Sequence, residues 1–149
     1  MKKIALITLI GVLFAGCTTE EYYETYVNDY QKNYTIRSNP RQGEYGWKLV
    51  SDEEYGVYYC CIIKDKNLTN EVFNYGIMTA YLRYVYPGEG VDLHVLPFDD
   101  FYIKDGNQWT EQVSCAFRPG EIVFMLKNDD QIDILPIREA YEFQVRFMW

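Results

Sequence analysis

Catalysis by a conventional nucleophile would require the single histidine of this chain. Ser-His-Asp and Cys-His catalytic sets use histidine as the base, and His94 is the one histidine among 149 residues. The alternation around His94 predicts that its side chain points outward from a strand, and no Gly-x-Ser-x-Gly nucleophile motif is present. We therefore expect no histidine-based hydrolase and, for the same reason, no ordinary zinc site.

Carboxylates are the other side chains that could carry chemistry. Glu53-Glu54 and Asp99-Asp100 are adjacent pairs, and neighbours in an extended strand point to opposite faces. Glycosidases need two carboxyl groups that face each other across a cleft, which adjacent residues do not supply. A carboxylate-based hydrolase is thus a minor alternative, and the sequence predicts no enzyme and assigns no catalytic residue.

Two further patterns point weakly to a metal or a phosphate. Asp129, Asp130 and Asp133 could gather around calcium, which takes several oxygen ligands. No glycine occupies the place that a calcium loop needs, so a solvated loop is the preferred interpretation and no metal site is predicted. Pro87-Gly88-Glu89-Gly90 lacks the lysine and the following helix of a phosphate-binding loop. No cofactor is expected.

Tyrosine is frequent, with 15 residues in the chain. Eight of them crowd two segments: Tyr22, Tyr23, Tyr26, Tyr30 and Tyr34 in the first, and Tyr55, Tyr58 and Tyr59 in the second. Exposed aromatic rings can stack on sugars or anchor a protein partner. The alternative is that the rings fill strands and pack the N-terminal segment onto the domain. A glycan or protein ligand is therefore a hypothesis, and its binding residues stay unassigned.

The N-terminus carries the features of a secretory signal. Met1-Lys2-Lys3 is basic, residues 4–14 are predominantly apolar, and Ala15-Gly16-Cys17 follows. This run of eleven residues is too short for a membrane-spanning helix, which needs about twenty. Ala15-Gly16-Cys17 resembles the lipobox of bacterial lipoproteins, in which the signal is removed and the cysteine is acylated. The resemblance implies a signal peptide over residues 1–16 and lipidation of Cys17.

A polar tether over residues 17–33 would connect the lipid to the folded domain. Its acidic Glu20-Glu21 pair resembles the signal that exports some Bacteroidetes lipoproteins to the outer face of the outer membrane. Two or three acyl chains, as that family carries, anchor a protein durably. The resemblance thus implies an outer-membrane lipoprotein at the cell surface, with the membrane as its first partner.

Charge excludes one class of partner. Removal of residues 1–16 takes Lys2 and Lys3 from the 14 basic residues and leaves 12 against 22 acidic ones, a net charge of −10. Nucleic acid, whose phosphates require a basic surface, is therefore not expected as a partner.

Three cysteines remain beyond Cys17. Cys60 and Cys61 are neighbours in a predicted strand and point to opposite faces, so at most one of them could reach Cys115. An exported protein can form a disulfide, but three reduced thiols are the preferred interpretation.

Residues 34–149 are predicted to form one all-β domain. Short β-prone segments alternate with turns such as Asp105-Gly106 and Arg118-Pro119-Gly120-Glu121. Leu93 and Val95 are predicted to point inward, with Asp92 and His94 outward. The last strand alternates most clearly, because the residues from Tyr141 to Trp149 are aromatic or aliphatic at every second position. This pattern predicts a single antiparallel β-sandwich, immunoglobulin-like or related. Thr69 is predicted to cap one short helical turn, and Gly76 to end it in the left-handed conformation.

The order of packing and turn residues supports the same fold. Trp47-Lys48-Leu49, Leu68-Thr69-x-x-Val72-x-x-x-Gly76, Leu96-Pro97-Phe98, Gly120-x-Ile122-x-Phe124 and Phe143-x-Val145 follow one another along the chain. In this order they resemble a group of small, uncharacterised Bacteroidetes lipoproteins with a β-sandwich domain. The resemblance implies a fold and a location but no catalytic residue. The absence of a catalytic set and the many tyrosines favour a non-enzymatic binding module, with a structural or assembly role in the envelope as the alternative.

Overall fold

Two five-stranded sheets and one short helix make up the structure, a computed structural model that describes residues 28–104, 106–129 and 138–149. Cys17 and residues 1–27 as a whole lie outside the described residues. The elements, in chain order, are β1 (Asp29–Arg37), β2 (Tyr45–Gly46), β3 (Lys48–Asp52), β4 (Gly56–Lys64), α1 (Asn70–Tyr75), β5 (Ile77–Tyr86), β6 (Gly90–Val95), β7 (Phe98–Lys104), β8 (Asn107–Arg118), β9 (Glu121–Asn128) and β10 (Ala140–Met148).

The chain passes between the two sheets so that β1 and β10 are neighbours in one of them. Sheet A has the order β2-β1-β10-β5-β6, and sheet B has the order β3-β4-β9-β8-β7. Neighbouring strands are antiparallel except for the short parallel pair of β1 and β2. The predicted all-β sandwich with one helical turn is therefore confirmed. Within the described residues, α1 is too short to cross a membrane.

The core lies between the two central strands. Phe124 of β9 stacks on Phe143 of β10 with ring centroids 4.1 Å apart, and both side chains are fully buried. The predicted alternation of β10 is confirmed, because Tyr141, Val145 and Phe147 are also buried while the residues between them are only partly covered. Each such side chain contributes roughly 1.5–3 kcal/mol of hydrophobic stabilisation.

The prediction for β6 was wrong in its orientation. Leu93 and Val95 are 46% and 57% exposed, whereas the His94 ring lies 4.4 Å from the Phe98 ring at the edge of the core. The reason is the register with β5, which places His94 directly opposite the buried Leu82. Residues opposite each other in a sheet share a face, so the outer face of this edge strand is the apolar one.

The first strand begins earlier than predicted. β1 starts at Asp29 instead of near Tyr34, and it pairs with β10 from its first residue. Tyr30 stacks on Phe147 at 5.5 Å, and Arg146 donates two hydrogen bonds to the Asp29 carboxylate. Residues 29–33 resemble a polar tether because most of this stretch is exposed, although its backbone completes the sheet.

The helix is capped as predicted at one end only. The Thr69 hydroxyl accepts a hydrogen bond from the Val72 N–H at 3.2 Å. Gly76 does not adopt the predicted left-handed conformation, since its φ is −87°. Glycine is required there by close packing, because an added Cβ would lie 2.5 Å from the Val72 carbonyl oxygen and 3.0 Å from that of Met148.

The described cysteines are free, as the preferred interpretation predicts. Cys61 and Cys115 flank Phe124 from the two neighbouring strands, so their backbones are roughly 10 Å apart. That separation exceeds what a disulfide spans. Burial raises the pKa of the Cys61 thiol to about 11 and the pKa of the Cys115 thiol to about 12.

Candidate functional site

The outer face of sheet B contains an open depression of about 450 Å³. This volume falls within the range of small-molecule sites. Its lining side chains come from β4, β8, β9 and the β3–β4 turn, and they are Tyr55, Tyr58, Gln112, Ser114, Arg118, Met125 and Lys127. We call it the tyrosine depression.

Strand register explains why the surface dips at this point. Ser114 lies opposite Met125 and Gln112 lies opposite Lys127 on the adjacent strands β8 and β9. Ser114 is the smallest of the seven side chains that line the depression, so the longer side chains around it rise above it and form the walls. The depression therefore follows from side-chain lengths on a shared face and not from a gap in the backbone.

Tyr55 forms one wall and is held there from both sides. The Asp52 carboxylate accepts the backbone N–H groups of Glu54 and Tyr55 at 2.8 and 2.9 Å. These backbone hydrogen bonds lower the pKa of Asp52, and the bond from Tyr55 contributes most. The Lys127 ammonium donates to the Tyr55 carbonyl oxygen at 2.9 Å. The Tyr55 ring itself remains 62% exposed and is available to a ligand.

A second depression of about 260 Å³ continues the first across the sheet. The two share Gln112 and Lys127, and the second adds Asp99, Thr110, Asn128 and Asp129. We call the two together the sheet B groove.

Hydrogen bonds order the far end of this groove. The Gln112 amide donates to Asp99 at 3.2 Å, and the Thr110 N–H donates to Asp129 at 3.0 Å. Phe101, which lies opposite Thr110 and is 59% exposed, adds an aromatic ring beside this end. From β4 to β7 the groove crosses three strand spacings, about 14 Å.

The two predicted carboxylate pairs are located differently. Glu53 and Glu54 are exposed in the β3–β4 turn. Asp99 and Asp100 point to opposite faces of β7, as predicted, with Asp99 in the groove and Asp100 toward the sandwich interior, where it pairs with Arg138. Asp129 lies in the groove, whereas Asp130 and Asp133 fall outside the described residues. Among the described residues no cluster of potential metal ligands occurs.

A buried polar cluster at the β7 end of the sandwich was not predicted. Glu111 lies directly opposite Asp100 on β8 and is 1% exposed. The Tyr141 hydroxyl is 2.8 Å from both Glu111 carboxylate oxygens. The signal was present in the sequence, because Glu111 is two residues before Val113 and residues two apart in a strand point to the same face.

Arg138 connects this cluster to the tyrosines around it. Its guanidinium contacts the hydroxyls of Tyr84 and Tyr102 and the Asp100 carboxylate, and it lies 4.1 Å from the centre of the Tyr84 ring. Burial raises the pKa values of Tyr84 and Tyr102, so both phenols stay protonated. For Arg138, burial alone would lower the pKa, but the hydrogen bond to Tyr102 and the neighbouring groups raise it overall.

The first tyrosine group has a structural role where it is described. Tyr34 and Tyr30 point inward, and their hydroxyls donate to the Asp65 carboxylate at 2.5 and 3.0 Å. Tyr22, Tyr23 and Tyr26 lie outside the described residues. In the second group, Tyr59 lies on the core face of sheet B, whereas Tyr55 and Tyr58 line the tyrosine depression.

Comparison with known proteins adds no assignment to this geometry. No protein-family model matches the chain, and no similar protein was found among curated proteins or solved structures.

Proposed function

We propose that this protein is a lipid-anchored protein of the outer membrane, exposed at the cell surface, whose β-sandwich binds a glycan without catalysing a reaction. The sheet B groove is the observation that carries the binding part. Its tyrosine depression offers aromatic rings beside amide, hydroxyl and ammonium groups. A sugar ring has C–H faces that stack on aromatic rings and hydroxyls that need such hydrogen-bonding partners.

The centre of the groove favours a glycan over a protein partner. Protein interfaces are depleted of charged residues at their core and bury roughly 800 Å² on each side. The groove instead carries Lys127 and Gln112 at its centre, Asp99 towards one end and aromatic rings at both ends. An extended, hydroxylated chain matches this order better than an apolar protein surface.

The positions of the carboxylates support binding without catalysis. The Asp100 and Glu111 pair shares one face, but Glu111 is 1% exposed and accepts the Tyr141 hydroxyl, so a substrate cannot reach it. Asp99 and Asp129 are exposed side chains at the open end of the groove. A catalytic site closes around its substrate and expels water, which this open end does not do.

Binding can be tested with the tyrosines of the depression. The Tyr55→Ala and Tyr58→Ala variants of the full mature chain are compared with Tyr75→Ala, a control because Tyr75 is 83% exposed on α1, outside the groove. Retardation in gels that contain single polysaccharides ranks the ligands, and calorimetry then measures Kd. We expect either groove variant to bind at least about tenfold more weakly, equivalent to about 1.4 kcal/mol, with the control unchanged.

Two results would contradict the binding proposal. If all three variants lose the same amount of binding affinity, the groove is not the binding site. Release of new reducing ends during incubation would contradict the non-enzymatic part and favour the carboxylate-based hydrolase.

The anchor is tested separately on intact cells. Wild-type protein and Cys17→Ala are treated with protease from outside. We expect the wild type to be digested on whole cells and the variant to be released from the membrane fraction. If the wild type is protected until the cells are broken, the surface location is wrong and the ligand should be sought inside the envelope.

A structural or assembly role is the second candidate, and one observation favours it. β6 is an edge strand of sheet A in the described residues, and Val91, Leu93 and Val95 on its outer face are 46–57% exposed. Unprotected edges of this kind accept an extended partner strand. Leu93→Lys would block such pairing, so loss of a co-purifying envelope protein in that variant, with glycan binding retained, would support this role.

A further inference from the structure

We propose that the glycan is acidic, with carboxylate or sulfate groups that pair with Lys127 and Arg118 at the two ends of the tyrosine depression; this inference rests on the proposed function. Lys127 lies opposite Gln112, six residues along β8 from Arg118, so the two cations contact separate anionic groups. The seven side chains that line the depression include these two cations and no carboxylate. Carboxylates border it at Asp52, which accepts the Tyr55 N–H, at Glu121, opposite Arg118, and at Asp129 in the adjoining depression, so the positive charges are confined to the depression itself.

Both cations are available to a ligand. Arg118 and Lys127 are exposed, and within the described residues neither has a carboxylate oxygen within 4.0 Å, since the four ion pairs there use Arg37, Arg83, Arg138 and Arg146. Glu121 lies opposite Arg118 across the two strands but does not pair with it.

The two cations differ in what they can recognise. The guanidinium of Arg118 presents a planar fork that matches the two oxygens of a carboxylate or sulfate. The Lys127 ammonium already donates one hydrogen bond to the Tyr55 carbonyl, which fixes it beside the exposed ring and leaves further N–H donors. A sugar that stacks on Tyr55 would therefore bring its acidic group into the range of a fixed ammonium.

The far end of the groove sets a polarity on the ligand. Asp99 and Asp129 line the second depression, and like charges repel an acidic sugar there. Their carboxylate oxygens accept hydrogen bonds from neutral hydroxyls instead. The structure thus favours a chain in which an acidic sugar lies beside Tyr55 and a neutral sugar lies beside Asp99.

The experiment compares ligands that differ in charge alone. The full mature chain is titrated with oligogalacturonate as the carboxylated ligand, sulfated galactan oligosaccharide as the sulfated one, neutral galactan oligosaccharide, and poly-glutamate as an acidic polypeptide. The variants are Arg118→Gln and Lys127→Gln, with Lys66→Gln as the matched control, because Lys66 is also exposed and lies in the loop before α1. Each Kd is measured at low and at high salt.

We expect one of the acidic oligosaccharides to bind most tightly and the choice between them to identify the anion. Each groove variant should weaken that binding about tenfold or more, and the loss should shrink at high salt. Binding of the control variant and binding to neutral galactan should change less than about twofold.

Three results would overturn the inference. Tight binding of the neutral oligosaccharide alone would disprove the acidic specificity while the glycan-binding function stands. Poly-glutamate binding as tightly as the best saccharide would replace the glycan with an acidic protein partner. If no saccharide binds at either salt concentration, in these titrations or in the polysaccharide gels, both the inference and the proposed function are wrong.

Discussion

The Asp65 site yields a quantitative prediction for the Tyr34→Phe substitution. Asp65 is 3% exposed, and its carboxylate accepts the Tyr34 hydroxyl at 2.5 Å and the Tyr30 hydroxyl at 3.0 Å. The Asn67 backbone N–H and amide also donate to it, at 2.9 and 3.0 Å. The substitution removes one hydrogen bond to a charged group and leaves the ring in place. It should therefore cost about 1.5–3 kcal/mol of unfolding free energy.

The loss should depend on pH in a definite direction. Burial alone would raise the pKa of Asp65, but hydrogen bonds from Tyr34, the Asn67 backbone and Tyr30 outweigh burial and lower it below the ordinary 3.8. In the unfolded chain the carboxyl binds its proton first as pH falls, so the stabilisation is complete above about pH 3.8 and is lost as pH falls through the lower folded-state pKa. The difference between wild type and Tyr34→Phe should shrink in that acidic window.

Urea unfolding of both proteins at pH 7 and at a series of values from pH 5 to pH 2.5 measures this difference. Tyr75→Phe serves as the control because Tyr75 is 83% exposed. At neutral pH the melting temperature of Tyr34→Phe should fall by roughly 5–10 °C. A loss below about 0.5 kcal/mol at pH 7, or a loss that stays constant down to pH 2.5, would show that the Tyr34 hydroxyl does not stabilise a charged Asp65.

Two further predictions concern packing and reactivity. Gly76→Ala should destabilise the domain by about 2 kcal/mol or more, because its Cβ would meet a helix carbonyl oxygen at 2.5 Å. The control is Gly88→Ala, where nothing lies within 4 Å of the added Cβ and the positive φ alone should cost about 1 kcal/mol. Equal losses of unfolding free energy in urea would contradict the steric argument. Cys61 and Cys115 should resist a thiol reagent at pH 8, because pKa values of about 11 and about 12 leave roughly a thousandth of the former and less of the latter as thiolate. Cys60, which is partly exposed, should react first, and all three should react in denaturant; labelling of Cys115 before Cys60 would contradict this order.

Local patterns predicted much of the fold because they reflect short-range geometry. Alternation of apolar residues identified the core face of β10, and the Pro119-Gly120 turn was confirmed by a φ of +78° at Gly120. The Thr69 cap was also predicted correctly, since it depends only on residues three positions apart. The hairpin around Gly106, with Lys104 paired to Asn107, follows from the same local rule.

The site depended on which strands become neighbours. Tyr55 was recognised as an aromatic residue of interest, but Arg118 and Lys127 were not, because they come together only when β8 and β9 pair with β4. The inverted face of β6 has the same origin. Val91, Leu93 and Val95 alternate with Asp92 and His94, and only the register with β5 decides which set faces the core.

The amino-acid sequence by itself determined the all-β class and the buried face of β10, and it alone carries the expectations of an export signal and of lipid attachment at Cys17. These depend on residue type and on periods of two residues, which a chain carries before it folds. Only the tertiary structure decided the sheet B groove, the Asp65 and Glu111 sites and the need for glycine at position 76. Each of those depends on contacts between residues far apart in the chain, and such contacts are set by strand order and register.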